Sequence, residues 1–192
     1  MLSSIISSLL ELLLEMGYTG IFLLMFLESS FFPFPSEAVM IPAGYLSYQG
    51  HLDPIASMVS GLGGSVCGAL FNYMLGRKMG RPFLCRYGKY FMITKNRLEW
   101  VERLFEKHGE AITFFGRLMP GVRQYISFPP GIAQMNVMKF LLFTAMGAGI
   151  WVSFLVYVGY ALGNSTETIY VGILAVIGMV IYYLIYRKKS VT

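Results

Sequence analysis

The stretch FLESSFFPFPSEAVMIPAG, residues 26–44, sets two carboxylates, Glu28 and Glu37, inside one of the most apolar parts of the chain. It also places Pro33, Pro35 and Pro42 where a membrane helix would be expected to run on. Proline removes a backbone donor and clashes with the preceding turn, so it kinks or ends a helix. An ionised side chain near the centre of a bilayer costs at least about 2.5–3.5 kcal/mol. Acids and helix breaks at one such place require a reason beyond anchoring.

The surroundings make the bilayer the relevant solvent. Of 192 residues, 56% are hydrophobic and 13% charged, where a soluble domain carries about 25% charged residues. Mean hydropathy is +0.61. Several apolar stretches approach the roughly 20 residues that span a bilayer. The expected class is an all-α integral membrane protein of one domain. No charged n-region or small-residue cleavage site opens the chain, so no cleaved signal peptide is expected.

Each arm of the apolar segment 18–49, on either side of Pro33-Phe34-Pro35-Ser36, has about 14 residues, or roughly 21 Å of helix. That falls short of the roughly 30 Å hydrocarbon core. The economical reading is a re-entrant hairpin that leaves by the side it entered. Residues 111–136, AITFFGRLMPGVRQYISFPPGIAQMN, repeat the pattern, broken at Pro120-Gly121 and Pro129-Pro130-Gly131. Around these hairpins the sequence predicts an amphipathic helix at 1–16 and membrane spans at 54–77, 138–162 and 168–186. Gly64 and Gly68 form a small-xxx-small pair that lets another helix approach closely.

Residues 81–110 are the one sustained polar segment. They hold Arg81, Arg86, Lys89, Lys95, Arg97, Arg103 and Lys107, and the chain ends on Arg187, Lys188 and Lys189. By the positive-inside rule both regions are cytoplasmic. Contact with anionic headgroups explains the basic residues better than nucleic acid does. Under this orientation the first hairpin opens outside and the second inside. The fold expected is therefore two oppositely facing re-entrant helical hairpins among transmembrane helices, resembling an inverted repeat. Inverted repeats with broken helices meeting at the midplane mark transport sites.

The first hairpin carries Glu28 and Glu37, and the second carries Arg117 and Arg123. Opposite charges delivered from two sides can neutralise one another. The arginines keep their protons and present forks that suit phosphate. The glutamates, taken partly out of water, are candidates for proton exchange. A structural clasp is the plainer alternative, but a buried ion pair is often replaceable by apolar residues without loss. Cys67 and Cys85 lie at different levels and suggest neither disulfide nor metal site. His51 and His108 read as isolated loop residues.

At these residues the chain resembles the DedA family of bacterial membrane proteins, whose core is also called the SNARE-associated or VTT domain. The resemblance covers roughly residues 15–165. Its motifs are Glu28 with Pro33-x-Pro35-x-Glu37 and Pro42-Ala43-Gly44, then Phe115-x-Arg117-x-x-Pro120-x-x-Arg123 with Gly131-x-Ala133 and Met135. Tyr73-x-x-Gly76-Arg77 and Lys107-His108-Gly109 also look like family features. The second segment departs from the family pattern in ending Phe128-Pro129-Pro130-Gly131.

The resemblance implies lipid movement across the bacterial inner membrane. The implied cargo is undecaprenyl phosphate returned to the cytoplasmic leaflet for envelope synthesis, with proton motive force implicated for some members. It implies Arg117 and Arg123 as the phosphate-facing residues and Glu28 and Glu37 as the coupling acids. Pro33, Pro35, Pro42, Pro120, Pro130 and Gly131 are the expected hairpin breaks. The expected partners are a polyprenyl phosphate or membrane phospholipid and protons, with no nucleic acid, metal or cofactor; a homo-oligomer stays open. Three rivals stand beside this reading: a phosphatidylethanolamine or general phospholipid transporter, an intramembrane phosphatase or phosphotransferase, and a non-transporting scaffold.

Overall fold

A computed structural model describes residues 2–30, 35–87, 95–119, 122–123 and 125–163, with side chains from 11 onward except 79–102. Six helices follow in order: α1 Leu2–Ser30, α2 Glu37–Tyr48, α3 Pro54–Tyr87, α4 Lys95–Leu118, α5 Phe128–Ile132 and α6 Val137–Ala161. No strand occurs among the described residues. Pro33, Pro120, the expected span 168–186 and the basic C-terminus lie outside them.

Three of these helices are long and apolar enough to cross a bilayer: Glu11–Ser30, Pro54–Lys78 and Val137–Ala161. Their outward faces are greasy. On α6, Met138, Leu142, Met146, Ile150 and Phe154 recur every fourth residue and are exposed. The interior carries Glu28, Ser29, Ser65, Asn72, Thr113, Arg117, Ser127 and Thr144, all buried. Apolar outside and polar inside reverses the arrangement of a water-soluble protein. The chain is a membrane protein.

The expected boundary between 1–16 and the arm from 18 falls on Gly17, where two helical segments meet at a kink, with φ 54° and ψ −135°. The apolar stretch Glu11–Ser30 runs through that kink and is long enough to cross a bilayer, where the arm from 18 alone is too short. Glycine reaches positive φ without a Cβ clash, so the chain bends at Gly17 instead of stopping. Pro42 corrects the sequence reading. It was expected at a break, yet it sits buried inside α2. A proline inside a membrane helix is tolerated where neighbouring groups cover the freed carbonyl.

α4 joins two helical segments across a kink at His108, with φ −133° and ψ 17°, and is helical through the expected junction at 110/111. His108 is thus a kink residue rather than a loop residue. Turns follow at 122–123 and 125–127, and Phe128, Pro129 and Pro130 open the five-residue α5. α2 and α5, at 12 and 5 residues, give roughly 18 Å and 8 Å of helix, each less than a bilayer.

The chain divides into two compact units. One comprises Met1–Met25, Phe34–Gly64 and Val152–Thr192, and the other Phe26–Pro33 and Ser65–Trp151. In the first, α2 lies directly on α6. A Cβ at Gly44 would fall on the Val156 carbonyl oxygen, and one at Gly159 on that of Ile41. Asp53 caps α3 by accepting the Ala56 N–H at 2.8 Å, with Pro54 at the first helical position. The Asp53 N–H donates to the Tyr18 hydroxyl at 2.9 Å.

In the second unit, Gly68 meets the Phe26 carbonyl and Gly131 the Tyr73 carbonyl, so α3 touches the end of α1 and α5 without intervening side chains. Tyr73 stacks on Phe140 with ring centroids 4.7 Å apart, and its hydroxyl donates to the Met135 carbonyl. Asn136 caps α6 by accepting the N–H groups of Met138 and Lys139 at 2.9 and 3.2 Å. These contacts hold the frame on which the polar interior is built.

Candidate functional site: a buried arginine and glutamate cluster

Glu28 lies in the last turn of α1 and is 1% exposed. Its Oε2 accepts from Arg123 Nη2 at 3.0 Å and from the Ser29 hydroxyl at 3.0 Å. The Ser29 hydroxyl is in turn 2.8 Å from that of Ser65 on α3. Asn72, also on α3, donates to the carbonyls of Ser29 and Ser30. A helix end leaves four carbonyls without intrahelical partners, and Asn72 satisfies two of them where water is scarce. The end of α1, and Glu28 with it, is thereby fixed.

Arg123 comes from the turn after α4, where its N–H donates to the Met119 carbonyl at 3.2 Å. Its guanidinium also lies over the Trp151 indole, 5.8 Å from the ring centroid, within the reach of a cation–π contact. Arg117 sits in the last turn of α4, where the helix dipole favours a cation. α6 makes room for it, since a Cβ at Gly147 would stand 2.8 Å from the Arg117 Cβ.

Arg117 is 1% exposed and makes one hydrogen bond, from Nη2 to the Ser127 hydroxyl at 2.7 Å. Its Nε and Nη1 are buried without a hydrogen-bond partner. A buried guanidinium with two idle donors is costly and requires an explanation. Nε–H and the Nη1 hydrogens leave from opposite edges of the guanidinium, so each can meet a separate anionic oxygen of a phosphate or carboxylate. The cluster therefore holds one cation already matched by a carboxylate and a second with donors to spare.

Of the residues predicted from sequence, Glu28, Arg117 and Arg123 come together in this unit. Glu37 lies buried in the first turn of α2, in the other unit. Pro35 is exposed just before α2, and Pro130 and Gly131 are buried in α5. Sequence reasoning missed Ser29, Ser65, Asn72, Ser127 and Trp151. A signal existed for two of them. Ser65 and Asn72 are polar residues inside an apolar span, where such side chains usually bond across helices. Among the described residues, no three His, Cys, Asp or Glu gather as a metal cradle.

A family model for the VTT domain matches residues 34–161. The chain belongs to the VTT domain family, the DedA family of membrane proteins. Undecaprenyl phosphate transporter A of Bacillus subtilis (strain 168) is 35% identical over 99% of this chain and 98% of its own. The protein of the same name from Staphylococcus aureus (strain NCTC 8325 / PS 47) is 29% identical, covering 93% and 96%. An alkaline phosphatase-like protein of Lactococcus lactis subsp. cremoris (strain MG1363) is 34% identical over 84% of this chain and 78% of its own. No solved structure matches the chain.

Proposed function

We propose that this VTT-domain protein carries a lipid phosphate of the undecaprenyl phosphate class across the bacterial inner membrane, toward the cytoplasmic leaflet. The observation that carries the reading is Arg117, buried with Nε and Nη1 unpartnered beside an Arg123–Glu28 pair. A phosphate monoester would take an idle donor of Arg117 and compete with Glu28 for Arg123. In this reading Glu28 and Glu37 take up and release protons, Glu28 loosening its hold on Arg123 when neutral. The two short-helix segments are the re-entrant arms, facing opposite sides, with the C-terminus cytoplasmic. Two near-full-length relatives bearing the name undecaprenyl phosphate transporter support this choice of cargo.

A general phospholipid or phosphatidylethanolamine carrier would use the same donors less fully, since a diester offers one charge. An intramembrane phosphatase is the second reading, favoured by the name of the Lactococcus relatives. Reconstitution in liposomes separates all three. Leaflet-resolved assays of undecaprenyl phosphate and phosphatidylethanolamine, with inorganic phosphate release measured in parallel, should show phosphate-lipid flux and no release. Stoichiometric release of phosphate would make it an enzyme. Equal flux of both lipids would make it a general carrier.

A further inference from the structure

A second polar feature lies in the same unit, away from the Glu28 cluster. A cavity of about 990 Å³ opens between the kinked part of α4, the turn 133–136 and the start of α6. Its polar end holds Glu106, Lys107, His108, Glu110 and Lys139, and its other end Phe114, Phe115 and Phe143. The kink at His108 bends α4 away from helix at the wall of this cavity. Lys139 Nζ meets Glu110 Oε1 at 2.6 Å, with both side chains about half exposed.

Helical periodicity ties this cavity to Arg117. Glu110, Phe114 and Arg117 follow at i, i+4 and i+7 on α4. Lys139, Phe143 and Gly147 follow at i, i+4 and i+8 on α6. Such residues share one face of their helix. At the inner end the two faces meet, since a Cβ at Gly147 would stand 2.9 Å from the Phe114 carbonyl oxygen and 2.8 Å from the Arg117 Cβ. The seven residues from Glu110 to Arg117 correspond to roughly 10 Å along the helix. Lys139 is the third residue of a candidate span, the level at which a lysine reaches lipid phosphates.

We propose that this cavity is a cytoplasm-facing vestibule where the phosphate of a membrane lipid is held before it leaves the protein. Its phosphate displaces Glu110 from Lys139, and its chain lies along Phe114, Phe115 and Phe143. The headgroup reaches the vestibule from Arg117, about two helical turns away. The Lys139–Glu110 pair does in the open what Arg123–Glu28 does when buried, offering a cation already held by an exchangeable carboxylate. This deepens the reading of the chain as a lipid-phosphate carrier and rests on it.

The test reads occupancy rather than transport. Phe143 is replaced by photoreactive benzoylphenylalanine in the full-length protein, and tagged farnesyl phosphate is crosslinked in liposomes. Lys139→Gln should lower labelling about fivefold, the scale of one partly exposed charge contact. Glu110→Gln should raise it by removing the competitor. A merely structural ion pair is broken by both changes, so labelling that falls in both overturns the vestibule. So does equal labelling by tagged farnesol, which would show an apolar slot, or full displacement by inorganic phosphate, which would show a free-anion site. The series repeated at Phe115 guards against misfolding at 143. If the wild type moves no lipid while the opposite effects of the two substitutions hold, the carrier reading fails and the phosphate-lipid site stands.

Discussion

Arg123 Nη2 stands 3.0 Å from Glu28 Oε2, although 95 positions separate the two residues in the chain. Both are almost wholly buried. Removing one member leaves a buried charge without its match. Glu28→Gln should therefore cost about 3–5 kcal/mol of stability. The double change Glu28→Gln/Arg123→Gln should recover most of that loss. Thermal unfolding of all three variants in one detergent checks the coupling, and additive losses would show that the pair is not the partnership described.

Arg117 should behave in the opposite way. It is a buried cation with one hydroxyl partner, so Arg117→Gln should leave stability unchanged or raise it by about 1 kcal/mol. Lipid-phosphate flux should be lost all the same. Arg123→Lys should keep the fold and lose most of the flux, because an ammonium has no planar fork. An Arg117 variant as unstable as Glu28→Gln would assign this arginine to the framework.

Close backbone contacts give a test unrelated to charge. Gly44→Ala drives a methyl group onto the Val156 carbonyl oxygen and should cost about 1–3 kcal/mol. At Gly63 the nearest atom to a new Cβ is a Phe22 ring carbon at 3.4 Å. Gly63→Ala should stay within about 0.5 kcal/mol of the parent. Similar melting temperatures for the two variants would contradict the α2–α6 approach.

Orientation can be read by labelling. His51 lies in the turn before α3 and Arg103 on the polar part of α4, and both are exposed. If basic residues set topology, His51→Cys reacts with an impermeant thiol reagent in intact cells and Arg103→Cys does not. The two native cysteines, Cys67 and Cys85, are first replaced by serine. The reverse pattern would invert the direction assigned to the chain.

Much of this arrangement was legible in the residues themselves. Charges cost too much at membrane depth to be incidental, so Glu28, Arg117 and Arg123 announced a cluster. The pair Gly64 and Gly68 announced a close helix contact, and each does meet a carbonyl of α1. Element ends were less legible. Gly17 falls on the expected 16/18 boundary, but as a kink between two helical segments, since glycine serves equally to end a helix or to bend it. Pro42 was read as a break because proline's effect on a helix depends on what covers the freed carbonyl, which composition does not reveal. The hydroxyls of Ser29, Ser65 and Ser127 stayed hidden because serine is common in membrane helices, and only three-dimensional proximity distinguishes the working ones.

Trp151 and Trp100 are the two tryptophans of the chain. With Trp100→Phe, the remaining indole is the one beneath the Arg123 guanidinium. Indole emission responds to a nearby positive charge, so the protein contains its own optical gauge of where that arginine is. Titrating a short-chain lipid phosphate while following this single fluorophore would time the departure of Arg123 from Glu28 without any attached dye.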